Sequence, residues 1–306
     1  MPELPDVTIY VEQLARRAAG HVLLGLRIAS PFLVRSFDPP LSSVAGRRVL
    51  GVRRMGKRIV LELEGGLFLA IHLMISGRLH WKDEREARIP GKVGLAAFDF
   101  DVGTLVLTEA SRKRRAALHL LGGEAALREL DAGGREPLAA SAAEFREALR
   151  RENHTLKRAL TDPRLFSGIG NAYSDEILWA ARLSPVQLTG NLDDGEIERL
   201  RQATREVLTD WTDRLRAEAG DAFPEKVTAF REGMAVHGRY KQPCPRCGSP
   251  VQRIVRAENE VDYCATCQTG GRLLADRALS KLLGKDWPKT LEEMEEWKRA
   301  SREGHV

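Results

Sequence analysis

The first residues of the chain, Met1-Pro2-Glu3, offer a nucleophile of an unusual kind. Methionine is normally trimmed before a small residue such as proline, and its removal leaves a secondary amine at the chain end. An α-amino group has a pKa of about 7.7–8.0, so much of it is neutral near physiological pH and can form a Schiff base with an electrophilic carbon. Glu3 supplies an adjacent carboxylate for proton transfer. The same residues are also an ordinary chain start, and a retained Met1 would block the amine, so other motifs must decide.

Four cysteines lie close together near the end of the chain, as two C-x2-C pairs separated by sixteen residues: Cys244, Cys247, Cys264 and Cys267. Four thiolates in this arrangement bind zinc tetrahedrally and leave no open position for catalysis. The pattern predicts one structural Zn²⁺. No other cysteine is available for a disulfide, which is typical of metal-site usage. A generic zinc ribbon that serves folding or protein contacts fits the same spacing.

A glycine-rich turn, Gly168-Ile169-Gly170, leads into a predicted helix at Asn171. Two glycines let backbone N–H groups approach a phosphate closely, and a helix N-terminus favours an anion. The amide of Asn171 can donate to a phosphate oxygen. A plain loop–helix junction fits the turn equally well.

The elements that position these residues differ between the two halves of the chain. The spacing of Val7, Tyr10, Val11 and Leu14 predicts a leading helix. From about 22 to 118, short runs bounded by turn residues predict strands at 22–28, 48–53, 58–63, 67–73, 78–81, 95–100 and 104–107. Later apolar spacing predicts helices at 142–151, 156–160, 172–181 and 194–218, and a strand at 251–255. The fold class is therefore α+β, with an N-terminal β-sandwich or barrel behind a leading helix.

Charge and hydropathy limit the class of protein. The 306 residues carry 48 basic and 43 acidic side chains, a formal net charge of +5 that favours a polyanionic partner only weakly. Basic residues cluster at 53–58 and 112–115, although a solvated surface explains such runs as well. No apolar run reaches the ~18 residues of a membrane helix. No basic and then apolar leader opens the chain. We therefore expect a cytosolic protein.

Five ordered motifs resemble those of the Fpg/Nei family of bifunctional DNA glycosylases, also called formamidopyrimidine-DNA glycosylases. They are the chain start at 1–7, Gly56-Lys57 before a strand, the strand end at 72–77, the turn and helix at 168–176, and residues 236–239 leading to Cys244. The similarity runs from Met1 to Cys267. It implies a helix–two-turns–helix domain that carries a zinc-finger β-hairpin. The implied domain limits are 1–132, 133–235, 236–270 and a C-terminal helical extension at 271–306.

The resemblance also implies a role for each matched residue. Pro2 attacks C1′ of the damaged nucleotide, expelling the base, and Glu3 is the general acid and base. Lys57 binds a phosphate next to the lesion and aids catalysis. Successive β- and δ-eliminations then leave a one-nucleoside gap. The expected DNA-binding residues are Met74, Ile75, Arg112, Lys157, Gly170, Asn171 and Arg239.

The partner implied is double-stranded DNA that contains a damaged base or an abasic site. A monomer binds it, the zinc hairpin grips the duplex, and no membrane is involved. Extruding a base costs a few kcal/mol, least at damaged or mispaired sites. A cytoplasmic protein associated with the nucleoid is the expected setting.

The sequence departs from the family pattern at the zinc hairpin and at the wedge that fills the space of the extruded base. Asn259 stands where the family has an arginine, and an amide cannot replace the charge and fork of donors of a guanidinium. Ile75 occupies the position of the wedge methionine, with Met74 one place earlier. Arg112 is the candidate for the inserted arginine, and Lys113 replaces an aromatic. We therefore expect an altered opposite-base preference and a bias toward β-elimination. Arg253 and Arg256 lie nearby, but neither is in register with the missing arginine.

Several alternatives stay open at this point. The segment between Gly220 and Val236 is shorter than in the 8-oxoguanine-specialised branch, so oxidised purines, oxidised pyrimidines and plain abasic sites are all candidate substrates. A catalytically silent DNA-binding protein and a zinc-ribbon protein that binds structured RNA are the rival functions. The residues after Cys267 predict an amphipathic helix and a second helix capped by Thr290, which either dock on the helical domain or contact a partner.

Overall fold

The computed structural model describes residues 1–111, 113–225, 227–228, 230–256, 259–274, 284 and 288–302. The chain divides into two compact units. The first consists of Met1–Gly134 and Leu208–Ala229, and the second of Arg135–Val207 and Phe230–Val306. The division assigns residues 208–229 to the first unit, whereas the sequence analysis grouped them with the helical domain.

The described part of the first unit contains eight antiparallel strands, a helix before and a helix after them, and residues 208–219 at the end of a long helix. Helix α1 (Leu4–Ala18) precedes the strands and α2 (Gly123–Glu129) follows them. The strands are β1 (Val22–Ile28), β2 (Arg47–Met55), β3 (Arg58–Leu63), β4 (Leu67–His72), β5 (Gly77–Lys82), β6 (Gly94–Phe100), β7 (Gly103–Glu109) and β8 (Ala117–Gly122). Their order is β5-β7-β6-β1-β2-β3-β4-β8.

The sheet is divided in the middle, where β1 and β2 pair at only two positions, Val22 with Arg48 and Leu23 with Arg47. One apolar core contains side chains from both halves, such as Phe98 and Leu105 from one and Ile59 and Leu69 from the other. Alternating residues of each strand point to this core. The two halves therefore pack face to face as the predicted sandwich.

Helix α1 contributes Val7, Tyr10, Leu14 and Ala18 to the same core. Their spacing of three or four residues puts them on one face of the helix, as the sequence predicted. Phe223 and Val227, which follow the long helix, belong to this core as well. The chain start is thus held against the sandwich by apolar packing.

The second unit is helical and carries the cysteine segment. Its helices are α3 (Ala142–Arg150), α4 (Leu156–Thr161), α5 (Asn171–Ala181), the first part of α6 (Asp194–Ala219), α7 (Ala265–Thr269) and α8 (Leu291–Arg302). Strands β9 (Gln252–Arg256) and β10 (Asn259–Tyr263) form an antiparallel hairpin. The α+β class with a zinc-finger hairpin is confirmed.

The C-terminal extension docks on this unit at the ends that the structure describes. Leu273, Leu274, Leu291 and Met294 join a cluster with Ile254 and Tyr263 of the hairpin. Of the amphipathic helix predicted from Leu273 to Leu283, Leu273 and Leu274 are not helical, and residues 275–283 lie outside the described residues. The second predicted helix is α8, and Thr290 caps it by accepting from the N–H of Glu293 at 3.2 Å. Among the described helices, none combines the length and apolarity that a bilayer span requires.

Candidate functional site

The chain start is buried in the first unit. Pro2 is buried, and Glu3 and Asp6 are 2% and 1% exposed. The N–H of Glu3 donates to the carboxylate of Asp6 at 2.9 Å, and the carbonyl of Glu3 accepts from Val7 at 2.9 Å. Asp6 therefore fixes the first turn of α1, where a carboxylate also suits the helix dipole. This turn fixes the backbone direction of the two residues before it.

The terminal amine lies among four charged groups. Burial lowers the pKa of the terminal amine, which here belongs to Met1, the residue before Pro2, below its usual 8.0. Glu3 and Asp6 raise this pKa, whereas Arg78 and Lys57 lower it. These electrostatic interactions place Glu3 and Lys57 beside the chain start, as the sequence analysis expected for Pro2, Glu3 and Lys57. A terminal amine whose pKa is lowered, with carboxylates and cations around it, is suited to nucleophilic attack on an anionic substrate.

Lys57 follows Gly56 in the turn between β2 and β3, where Gly56 has a φ of 60°. Arg58, the next residue, pairs across the sheet with His72 of β4. Burial, followed by Arg58 and Lys57, lowers the pKa of His72 to about 4. The Nδ1 atom of His72 accepts from the N–H of Met74 at 3.0 Å, so the neutral ring carries its proton on Nε2. Basic groups thus dominate this edge of the sheet.

The wedge candidates lie in the loop between β4 and β5. Met74 is half-buried with a left-handed backbone (φ 51°), while the side chain of Ile75 is 55% exposed. The segment is a turn, so the exposure of Ile75 comes from the turn and not from the alternation of side chains along a strand. Arg112, the second wedge candidate, lies outside the described residues.

In the second unit, the start of α5 is built around Lys157. Its ammonium group contacts the carboxylate of Asp175 at 2.5 Å and the carbonyl of Asn171 at 2.6 Å. Gly168 has a φ of 82°, which side chains rarely tolerate, and Gly170 is the residue before the helix. The structure therefore brings Lys157, Gly170 and Asn171 together at one helix N-terminus.

The carboxylates of α5 also hold the segment that enters the zinc hairpin. Glu176 accepts from the N–H groups of Ala235, Val236 and His237 at 2.7–2.9 Å. Burial raises the pKa of Glu176, and these three hydrogen bonds oppose that effect. Asp175 binds Nδ1 of His237 at 2.9 Å. Helix α5 and residues 235–237 therefore form one hydrogen-bonded body.

Arg239, an expected DNA-binding residue, is half-buried in the same segment. Its guanidinium donates to the carbonyls of Met234 at 3.0 Å and Pro243 at 3.2 Å. It thereby braces the entry to the zinc hairpin.

The four cysteine sulfurs lie within 4.8 Å of one another. The Sγ atoms of Cys244 and Cys267 are 3.9 Å apart, and those of Cys247 and Cys264 are 3.4 Å apart. Tetrahedral zinc with Zn–S bonds of ~2.3 Å requires sulfurs about 3.8 Å apart. The site fits one structural zinc ion. The indole N–H of Trp179 donates to the sulfur of Cys244 at 3.3 Å, a contact of the kind that orients metal ligands.

Arg253 of the hairpin is bound by two carboxylates. The guanidinium of Arg253 binds Asp262 at 2.9 Å and Glu260 at 3.0 Å. It is occupied within the hairpin, which makes it a poor substitute for the arginine that the family has at position 259. Strand pairing places Asn259 opposite Arg256 at the open end of the hairpin.

Several residues of the two sites were not singled out by sequence reasoning. His72 and His237 lay inside matched motifs, so the motifs carried a signal for them. Asp175 also lay inside a matched motif, at 168–176, whereas Arg78 directly follows the motif at 72–77, and neither was singled out. Glu109, which accepts hydrogen bonds from Ser76 and Ala116, gave no signal because its partners are distant in sequence.

Comparison with known protein families matches three consecutive parts of the chain. Residues 1–117 match the formamidopyrimidine-DNA glycosylase N-terminal domain, and residues 134–214 match the H2TH domain of the same glycosylase. Residues 241–270 match the zinc finger found in FPG and IleRS. The formamidopyrimidine-DNA glycosylase of Heliobacterium modesticaldum is 34% identical over 281 residues, which cover 88% of this chain and 100% of that protein.

Solved structures give the same result. The crystal structure of MutM (Fpg) from Thermus thermophilus is 32% identical, with a TM-score of 0.72, and the match covers 87% of this chain and 98% of that one. The complex of a mutant Lactococcus lactis FPG with Fapy-dG-containing DNA is 25% identical, with a TM-score of 0.75. That match covers 88% of this chain and all of its counterpart.

Proposed function

The chain belongs to the formamidopyrimidine-DNA glycosylase family, and on that premise we propose that the amine of Pro2, once Met1 is removed, is its nucleophile. The family function is that of a bifunctional DNA glycosylase and abasic-site lyase in base excision repair, acting on double-stranded DNA with damaged bases or abasic sites. The buried chain start among Glu3, Asp6, Lys57 and Arg78 is the observation that carries the residue assignment.

The chemistry requires a neutral amine at position 2, which removal of Met1 exposes. The nitrogen of Pro2 attacks C1′, and the base leaves with the electron pair of the glycosidic bond and a proton. The sugar ring then opens as its oxygen takes a proton from Glu3, which leaves an iminium bond between C1′ and the nitrogen. This cation acidifies the proton on C2′, whose removal by the Glu3 carboxylate expels the 3′ phosphate.

Lys57 and the start of α5 bind the DNA backbone. A cation near the amine both attracts a phosphate and holds the pKa of the amine down, so Lys57 serves binding and chemistry together. In the second unit, the helix N-terminus at Gly170 and Asn171 offers N–H groups to a phosphate. Two of the three donors of the Lys157 ammonium are used by Asp175 and Asn171, and the third serves the DNA.

The zinc ion is structural, since its four thiolate ligands fill a tetrahedral site. It fixes the base of the β9–β10 hairpin, and Arg239 braces the segment that leads to it. We assign this hairpin to the DNA duplex. The proposal also includes the domain limits of the sequence analysis, 1–132, 133–235, 236–270 and 271–306. It further includes a monomeric state and a cytoplasmic location on nucleoid DNA.

Borohydride trapping tests the nucleophile. The reagent reduces the iminium bond to a stable amine, so the protein becomes covalently attached to an oligonucleotide with an abasic site. We expect an adduct with the processed protein and none with a variant that keeps an uncleaved N-terminal extension. Pro2→Gly retains an amine and is expected to trap at a reduced rate. A Glu62→Gln variant, changed on the same sheet away from the chain start, is the matched control.

The same reaction gives the elimination products. With Asn259 in the hairpin and Arg253 occupied by Asp262 and Glu260, β-elimination products are expected to exceed β,δ-products. Absence of an adduct on any of several lesions, with binding intact, would support the silent DNA-binding protein and overturn the proposed nucleophile. Complete β,δ-elimination would show that another group replaces the missing arginine.

A further inference from the structure

A buried carboxylate, Glu109, stands between two loops of the first unit. It is the last residue of β7, it is 2% exposed, and its N–H donates to the carbonyl of Val93 at 2.8 Å. A buried carboxylate is costly unless hydrogen bonds replace its water. Within the described part of the chain, each of the two carboxylate oxygens has one partner, and each partner belongs to a different loop.

The first partner is Ser76, in the loop that carries Ile75. The Ser76 hydroxyl donates to Oε1 of Glu109 at 3.1 Å. The loop is tight, because the N–H of Gly77 donates to the carbonyl of Leu73 at 2.9 Å. A Cβ atom at Gly77 would lie 2.3 Å from that carbonyl oxygen, so only glycine fits. Ile75 therefore projects from a loop of well-defined shape.

The second partner is Ala116, at the end of the loop that follows β7. Its N–H donates to Oε2 of Glu109 at 2.9 Å. Lys113, Arg114 and Arg115 of this loop are exposed. The N–H of Lys113 donates to the hydroxyl of Ser111 at 3.2 Å, and the guanidinium of Arg114 donates to the carbonyl of Lys92 at 2.9 Å. At its described residues, this loop is held by the hydrogen bonds of Arg114 and Ala116.

We propose that Glu109 is the positioning residue that fixes the Ile75 loop and the 110–116 loop relative to each other, so that both enter the duplex together at the lesion. The inference rests on the proposed function. A nucleotide turned out of a duplex leaves a gap, and groups that fill the gap must arrive at a fixed spacing. One carboxylate that binds both loops sets that spacing without touching DNA itself.

The experiment compares Glu109→Ala and Glu109→Gln with the wild type on two substrates. One is a duplex with a lesion opposite 2-aminopurine, whose fluorescence reports insertion of the loops. The other is a single-stranded oligonucleotide with an abasic site, which needs no wedge. For Glu109→Ala we expect kcat/KM on the duplex and the fluorescence change to fall about tenfold, which corresponds to about 1.4 kcal/mol. Activity on the single strand is expected to stay within about twofold, because the amine is unchanged.

Two further variants change the two hydrogen bonds of Glu109 to different extents. A glutamine side chain keeps one acceptor oxygen and turns an NH₂ group toward the other donor, so Glu109→Gln is expected to show an intermediate loss. Ser76→Ala removes only the hydrogen bond from the Ser76 hydroxyl. It is expected to show a smaller loss of duplex activity and of fluorescence change than Glu109→Ala. These variants also serve if Glu109→Ala does not fold.

Asp99→Asn is the control for stability. Asp99 is 6% exposed and binds Arg27 at 2.6 Å in the same unit, away from both loops. Equal losses on both substrates, or an Asp99→Asn variant with the same loss of fluorescence change at matched stability, would overturn the role of Glu109. A wild type that inserts its loops but forms no Schiff base would instead overturn the proposed nucleophile and leave the role of Glu109 supported.

Discussion

At the chain start, burial and the neighbouring charged residues together set the pKa of the terminal amine. Burial lowers the pKa of the terminal amine, Arg78 and Lys57 lower it further, and Glu3 and Asp6 oppose them. The net effect on the Met1 amine is a pKa below its usual value, which favours the uncharged form that can act as a nucleophile. The sequence supplied the identities of Pro2, Glu3 and Lys57 because they lie in matched motifs. It did not supply Arg78, whose side chain reaches the amine only after folding.

His72 provides a pH-dependent test at the same scale. Its pKa falls from 6.5 to about 4 on folding, first because of burial and then because of Arg58 and Lys57. Between these two values the unfolded chain binds more protons, so the stabilising contribution is complete above pH 6.5 and is lost as the pH falls to about 4. A shift of this size corresponds to about 3 kcal/mol in the free energy of unfolding.

We therefore expect His72→Asn to flatten the dependence of unfolding free energy on pH over this range. The amide oxygen of asparagine can still accept from Met74, so the loop contact survives. Urea unfolding of the variant and the wild type at pH 4.5, 5.5 and 7.5 measures the effect. If unfolding free energy depends on pH equally in the two proteins, His72 is not the titrating group. His119, whose pKa is also lowered by burial, is then the candidate.

At the scale of elements, local pattern predicted most strands of the sandwich closely. Strands β1 and β3 have the predicted bounds, and the turns at Gly56 and Gly65 mark the two ends of β3. Strand β8 and helix α2 were missed. Strand β8 (Ala117–Gly122) is short, and it is defined by pairing with the distant β4. Pairing between segments far apart in sequence leaves little local signal.

The C-terminal extension is an element with a testable mechanical role. The N–H of Leu274 donates to the Tyr263 hydroxyl at 2.8 Å, and Leu273 donates to the carbonyl of Lys289 at 2.8 Å. Leu291 and Met294 of α8 pack on the cluster beneath the hairpin. We expect Met294→Asp to destabilise the hairpin by about 1–2 kcal/mol, because it puts a charge into a half-buried apolar contact.

The rate of zinc release to a chromogenic chelator measures this effect, and the variant is expected to release the ion faster than the wild type. Glu295→Ala, an exposed change on the same helix, is the matched control and is expected to release zinc at the wild-type rate. An unchanged rate for Met294→Asp would mean that α8 does not support the hairpin. The family matches end at residue 270, so this contact belongs to the part of the chain outside them.

At the scale of the whole molecule, the two compact units carry different parts of the proposed function. The first unit holds the amine, and the second holds the helix N-terminus and the zinc site. Sequence reasoning separated a β half from a helical half by their periodicity. It did not assign residues 208–229 to the first unit, because α6 runs through residue 207 with no break in its helical pattern. Which core a helical turn joins depends on packing, and a local pattern does not contain that information.

Zinc removal tests this division of tasks. Chelation removes the ion that links the two cysteine pairs, so it is expected to unfold the β9–β10 hairpin, since metal binding and folding of such sites are coupled. Hydrogen exchange should then lose protection at β9 and β10 and keep it in the sandwich strands β3, β4 and β6, whose apolar core contains no cysteine.

Affinity for duplex DNA is expected to fall, with trapping on a single-stranded abasic oligonucleotide less affected. Cys247→Ser should reproduce the chelated state without chelator. Loss of protection throughout the sandwich on chelation would show that the zinc site stabilises both units, and the separate assignment of the chemistry and the duplex contact to them would then have to be abandoned.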